Sequence, residues 1–270
     1  MRDRTLLSHD QLMRRLGDWF SRQPRRISAA RGAAERYEPA LLLRGTRSRA
    51  TRAGRGRSLQ AKAAAWCDDQ VVADLTRTAI ELVSNHPAVR HVELAGSRSR
   101  GTEEELSDWD FAVTTSDFAA VARDLPALVA PLRPLGQQWE PLGHFPVYQV
   151  LLPGPTKVEY LFLDQSQRAM PTPEPGPATL DAINTHFWDW IWWIATKASI
   201  GRHELVAEHL AQLFDRLLDP IGVTERPADI AAAIDAFVGR RDQLERDYGV
   251  TVSRALEEEV RAGIRCLGLA

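Results

Sequence analysis

Asp108 and Asp110 stand one residue apart in Ser107-Asp108-Trp109-Asp110, the spacing of two side chains on one face of a strand with Trp109 turned to the other. Two carboxylates held side by side repel unless a cation joins them, and oxygen-only ligands suit a hard ion such as Mg²⁺. Upstream, Gly96-Ser97 follows the apolar stretch Val92 to Ala95. Glycine lets backbone N–H groups approach an anion closely, and a helix starting there adds its positive end. An anion cradle next to a divalent-cation site is the equipment needed to hold a metal-bound polyphosphate.

A third acid stands where it could join the pair. Val147 to Leu152 (VYQVLL) and Val158 to Leu163 (VEYLFL) flank the turn Pro153-Gly154-Pro155 and read as a β-hairpin. Glu159 interrupts the second run. Among Val158, Tyr160, Leu161 and Phe162 it is costly to bury unpaired, so it must face solvent or a cation. The apolar character of Leu161 and Leu163, on its own face, favours the cation.

In chain order the pieces are Val92 to Ala95, Gly96-Ser97, Arg100-Gly101, a spacer from Thr102 to Leu106, Ser107-Asp108-Trp109-Asp110, and apolar Phe111 to Val113. This ordered set resembles the nucleotidyltransferase superfamily of the DNA polymerase β type. The layout of the whole chain is similar to that of its aminoglycoside and lincosamide nucleotidyltransferases, which act in antibiotic resistance. The resemblance implies that Asp108, Asp110 and Glu159 bind Mg²⁺ and are catalytic. Glu159 takes a place where the family commonly has Asp and some antibiotic-modifying members have Glu. Gly96, Ser97 and Ser107 would donate hydrogen bonds to the triphosphate, and a basic residue on a C-terminal helix would reach it: Lys197, with Arg202 as the competing candidate. The implied reaction moves a nucleoside monophosphate, AMP from ATP or its counterpart from another nucleoside triphosphate, to a hydroxyl of a small-molecule acceptor. Two other acceptors stay open: a protein, as in antitoxin-type adenylyltransferases, and a nucleic acid engaged through a basic arm.

These residues need a scaffold. A helical pattern begins at Ala61 and runs through Trp66, Val71, Leu75, Ala79, Leu82 and Val83 to Asn85-His86-Pro87, leading into the motif strand. A helix at about Phe118 to Leu128 precedes the hairpin. The loop from Arg168 to Pro177 is proline-rich and reads as a hinge. Beyond it lie helices over Leu180 to Ser199, over Glu204 to Leu218, after Pro227, and from Ser253 as N-cap to Leu267. The expected fold is α+β: a small mixed sheet flanked by helices over residues 61–168, then a C-terminal helical bundle over 178–270. The aromatic run HFWDWIWWIATKA in the first bundle helix reads as a buried core helix or as a stacking surface for substrate.

Composition sets the outer limits. The chain has 270 residues, 26% of them charged, and a formal charge of -2. Met1 to Lys62 holds sixteen basic against five acidic residues, a net of +11, which leaves -13 on the remainder. Residues 1–60 therefore read as a basic, disordered extension, with a possible helix at His9 to Phe20 and an arginine-rich stretch from Arg44 to Ser58. An acidic body disfavours a nucleic-acid substrate, which needs a basic channel. Cys67 and Cys266 lack metal-ligand spacing, and no apolar run reaches the roughly 18 residues of a membrane span. A reducing, cytoplasmic setting is the expectation.

Overall fold

A computed structural model describes residues 69–104, 106–141, 143–154, 156–167 and 173–269. The expected helix at His9 to Phe20, the arginine-rich stretch, the start of the helical pattern at Ala61 and Cys67 lie outside the described residues. The fold is α+β. In chain order come α1 (Asp69–Ser84), β1 (Val89–Leu94), the single turn α2 (Gly96–Ser99), β2 (Trp109–Thr115), α3 (Phe118–Leu128), β3 (Gly136–Trp139), β4 (Val147–Leu152) and β5 (Thr156–Leu161). Four helices follow: α4 (Leu180–Ser199), α5 (His203–Leu213), which runs on through a wider turn at Phe214–Leu218, α6 (Ile230–Tyr248) and α7 (Ala255–Cys266).

The five strands make one mixed sheet in the order β1-β2-β5-β4-β3, in which β2 and β5 run parallel and every other pair antiparallel. Strand alternation sorts its side chains cleanly. One face carries Trp109, Phe111, Val113, Tyr148, Val150, Val158 and Tyr160, all buried with Val83 of α1 and Val121 and Leu125 of α3. The Tyr160 hydroxyl donates to the Ala79 carbonyl at 3.0 Å, pinning α1 to this face. The opposite face is polar where α4 lies over it: Asp110, Lys157, Glu159, Gln149 and Gln138 come from four strands, and Asp108, just before β2, joins them beside Lys157. A second core fills the bundle, where Phe187 of α4 stacks on Phe237 of α6 with ring centroids 3.7 Å apart.

The bundle contains its own buried charge. The Arg241 guanidinium, 2% exposed, donates to the Glu257 carboxylate and to Asn184 Oδ1, tying α6 to α7 and α4. Such a pair adds little net stability but makes removal of one partner expensive. Helix ends follow the local chemistry. Asp229 accepts from the Ala232 N–H and opens α6, while Gly249, with φ +65°, closes it.

The expected helices at 118–128 and 180–199 form over those residues, and the α5 helix reaches Leu218 as expected. The hairpin forms too, but β5 begins at Thr156 and ends at Leu161, so Lys157 belongs to the strand and Leu163 does not. Sequence periodicity gave no sign of β3. The aromatic run on α4 is core: Trp188 is fully buried, and Trp190 and Trp192 are nearly so. Among the described residues no helix is long and apolar enough to cross a membrane.

Candidate active site

The three acids that the sequence brings forward lie together on the polar face of the sheet. Asp110 on β2 stands directly opposite Glu159 on the parallel strand β5, and Trp109 opposite Val158. Asp108 therefore falls one strand period from Asp110, on the same face and alongside Lys157. Asp110 and Glu159 share a side-chain hydrogen bond. Gln149, next to Glu159 on β4, donates to Glu159 Oε1 at 2.9 Å, and Gln138 on β3 donates to Gln149 Oε1 at 2.9 Å. The row from Asp110 to Gln138 thus crosses the sheet as one hydrogen-bonded chain.

Gly96 closes the row at the β2 end. Its φ is +63°, and a Cβ built on it would lie 1.8 Å from Asp110 Oδ2. The turn is seated on the second aspartate, and only a residue without a side chain allows that approach. The Ala95 N–H donates to the Asp110 carbonyl at 2.7 Å, which fixes the turn to the strand. Ser97 lies in the same single turn, and its carbonyl accepts from the Arg100 and Thr102 N–H groups, each at 3.1 Å. Four residues are too few for a helix dipole of any weight, so the turn offers its amides. The Ser107 hydroxyl accepts from the Glu104 N–H at 2.9 Å and closes the loop before β2. Arg98 braces the same loop by donating to the carbonyls of Ser107, at 2.8 Å, and Asp108, at 3.2 Å, with its guanidinium 3.9 Å from the Trp109 ring centre.

A cation that motif spacing does not single out sits among the acids. Lys157, 6% exposed, places Nζ 3.3 Å from Asp108 Oδ2, 3.2 Å from Glu159 Oε1 and 3.4 Å from Asp189 Oδ1. Asp189 comes from α4, is 5% exposed, and its Oδ1 accepts no hydrogen bond. Both residues could have been found. Lys157 lies two residues before Glu159 and so on its face, and Asp189 is an acid inside an aromatic run, costly to bury unpaired.

Four carboxylates around one ammonium leave an excess of negative charge, which protons relieve. Burial, opposed by Lys157 and helped by Glu159 and Asp189, pushes Asp108 up to about 6. Burial and the neighbouring Glu159 and Asp108 push Asp110 up to about 7. Burial also raises Asp189. Glu159 is held below its ordinary value because Lys157 and Gln149 outweigh its burial. Lys157 stays protonated because the carboxylates outweigh the burial that would otherwise lower it. This donor set, hard oxygens with proton-demanding excess charge against a glycine turn, fits a divalent cation.

The raised carboxyls give a stability signature with a definite sign. The unfolded chain releases these protons near pH 4 whereas the fold keeps them to about 6 and 7, so their contribution is complete below pH 4 and lost as pH rises through 7. Asp110→Asn, which has no charge to bury, is expected to gain on the wild type between pH 5 and 8 in chelator, by on the order of 2 kcal/mol. Thermal melts of both proteins across that range check it. Parallel curves would mean that Asp110 is not strained by its neighbours.

Lys197, the expected phosphate contact, lies two turns beyond Asp189 on α4 with its ammonium 5.4 Å from the Trp193 ring centre. The ammonium that meets the acids is Lys157. Glu140, His186 and Asp189 form a further cluster whose ligand atoms lie within 4.8 Å of one another. The Gln138 amide nitrogen already approaches it, at 3.3 Å from Asp189 Oδ2 and 3.4 Å from His186 Nδ1. Burial lowers His186, so its imidazole is neutral near pH 7.

The sequence matches no protein-family model and no curated protein. Among solved structures it is similar to an aminoglycoside 6-adenyltransferase from Bacillus subtilis, at 10% identity and a TM-score of 0.28, over 72% of this chain and 97% of that one. So loose a superposition says nothing about chemistry, which has to be read from the side chains themselves.

Proposed function

We propose that this protein is a Mg²⁺-dependent nucleotidyltransferase that moves AMP from ATP to a hydroxyl of a small molecule such as an aminoglycoside or lincosamide. The observation that carries the reading is the meeting of Asp108, Asp110 and Glu159 on one face of the sheet, with Gly96 seated on Asp110. Residues 61–168 would form the nucleotidyltransferase domain and 178–270 a helical domain that covers its polar face. Residues 1–60 would be a basic extension.

Asp108 and Asp110, with Glu159, would hold the ion, which when bound neutralises the charge of the triphosphate oxygens. Gly96, Ser97 and Ser107 line the turn where the β and γ phosphates would lie, and Lys197 would contact them from α4. The acceptor oxygen forms a bond to the α-phosphorus as the bond to pyrophosphate breaks on the opposite side. Asp189 is assigned the acceptor's proton, because burial makes it more basic than Glu159. Fixed positions and charges supply the remaining rate enhancement. The acidic body supports a cationic or neutral acceptor over a nucleic acid.

The test is incubation with labelled ATP, GTP, CTP and UTP and a panel of aminoglycosides and lincosamides, with and without chelator. The expected result is a mass gain of one nucleoside monophosphate on an acceptor, greatest with ATP and lost in chelator. Labelling of a co-purified protein with no small-molecule product would replace this acceptor class by a protein. An absence of pyrophosphate release under every condition would end the assignment.

A further inference from the structure

We infer that Lys157 is a tethered cation that takes the place of one of the two divalent ions a three-carboxylate centre can hold, so that this site loads a single ion. The inference rests on the nucleotidyltransferase reading and deepens it. Two-ion centres place their cations a few ångströms apart, bridged by shared carboxylates. Here the position between Asp108 and Glu159 is filled by the chain itself: the ammonium lies 3.3 Å from one and 3.2 Å from the other.

Three features make Lys157 a fixture. It is one strand period from Glu159, so backbone geometry alone brings the two side chains to the same face. Its ammonium has three hydrogens and three carboxylate neighbours, the third being Asp189 on α4, which closes the position from above. Its near-complete burial leaves no solvent to receive it if an ion displaced it, and a buried ammonium stripped of partners is costly.

The acceptor oxygens are used accordingly. Glu159 Oε1 is taken by both Lys157 and Gln149, so this carboxylate is chiefly the counterion of the lysine. An ion would take the second oxygen of Asp108 and the oxygens that Asp110 and Glu159 now join by a hydrogen bond, whose proton it would displace. Lys157 is a positioning residue here: it holds the acids in place and supplies one charge that no chelator removes. An ammonium cannot activate a bound water or hydroxyl as a metal ion does, which is why the acceptor's proton needs a carboxylate of its own.

The deciding experiment counts ions. Full-length protein is dialysed to equilibrium against Mn²⁺ with saturating α,β-methylene-ATP, whose bridging carbon blocks transfer, and bound manganese per chain is measured. The expected counts are one for the wild type, one for Lys157→Arg and two for Lys157→Gln. Two ions in the wild type, or one in Lys157→Gln, overturn the inference while leaving the nucleotidyltransferase reading intact. No ion in the wild type sinks that reading itself. Should Lys157→Gln fail to fold, ¹⁵N-lysine spectra of the wild type with Mg²⁺ and the same analogue decide. A slowly exchanging buried ammonium supports the inference, and its loss to solvent on loading refutes it.

Discussion

Asp108→Asn is expected to slow nucleotidyl transfer by about 1,000-fold, equivalent to about 4 kcal/mol of transition-state stabilisation, with the fold retained. An amide keeps the shape of the side chain and can still meet the loop around it. What it loses is the negative charge that must face a cation on one side and Lys157, 3.3 Å away, on the other. Pyrophosphate release under saturating ATP and acceptor measures the loss, and a circular-dichroism melt measures the fold. Turnover within tenfold of the wild type would remove Asp108 from the chemistry. The effect on stability should be small or favourable, since a carboxyl pushed up to about 6 is a group the fold would rather keep neutral. Lost activity without lost stability is the mark of a residue kept for its chemistry.

Gly96→Ala should do comparable damage by a different route. The added methyl would lie 1.8 Å from Asp110 Oδ2, 2.6 Å from Cγ and 2.9 Å from Cβ, and the backbone φ of +63° is itself unfavourable for alanine. The turn cannot retreat, because the Ala95 N–H ties it to the Asp110 carbonyl. The carboxylate must swing out of line instead. A loss of about 100-fold in transfer is expected, the scale of a misplaced catalytic group, with a destabilisation of about 2 kcal/mol from backbone strain and displaced packing. Gly101→Ala is the control: its φ is +64°, yet nothing lies within 4 Å of its would-be Cβ. That variant should show the strain alone, about 1 kcal/mol, with transfer within about threefold of the wild type. Equal losses in both would reduce Gly96 to an ordinary turn residue.

The parts legible in the sequence were those with a local cause. Alternation around Trp109 placed Asp108 and Asp110 on one face, and the apolar neighbours of Glu159 marked an acid that had to find a cation. The helices α3 and α4 were expected over the residues where they form, α4 through its aromatic run. What stayed hidden depends on partners distant in the chain. Strand β3 is four residues, Gly136-Gln137-Gln138-Trp139, whose glutamines break apolar alternation and make sense only beside Gln149. The parallel pairing of β2 with β5, which brings Asp110 to Glu159, is a choice of neighbour that periodicity does not encode. Lys157 stands just before the apolar run that marked the strand, and its place on the face of Glu159 follows once β5 begins at Thr156. Asp189 disappears into its tryptophans.

The amide pair Gln138 and Gln149 also bears on how the chain avoids wrong structures. If β4 slipped by one residue against β5, Gln149 would be thrust onto the apolar face beside Val158 and Tyr160 with nothing to bond, and Tyr148 would land among the acids. The buried, unpaired amide carries a desolvation penalty of about 1–3 kcal/mol. The slipped pairing is therefore disfavoured, and the same two glutamines that steady the acids also fix the alignment of the strands.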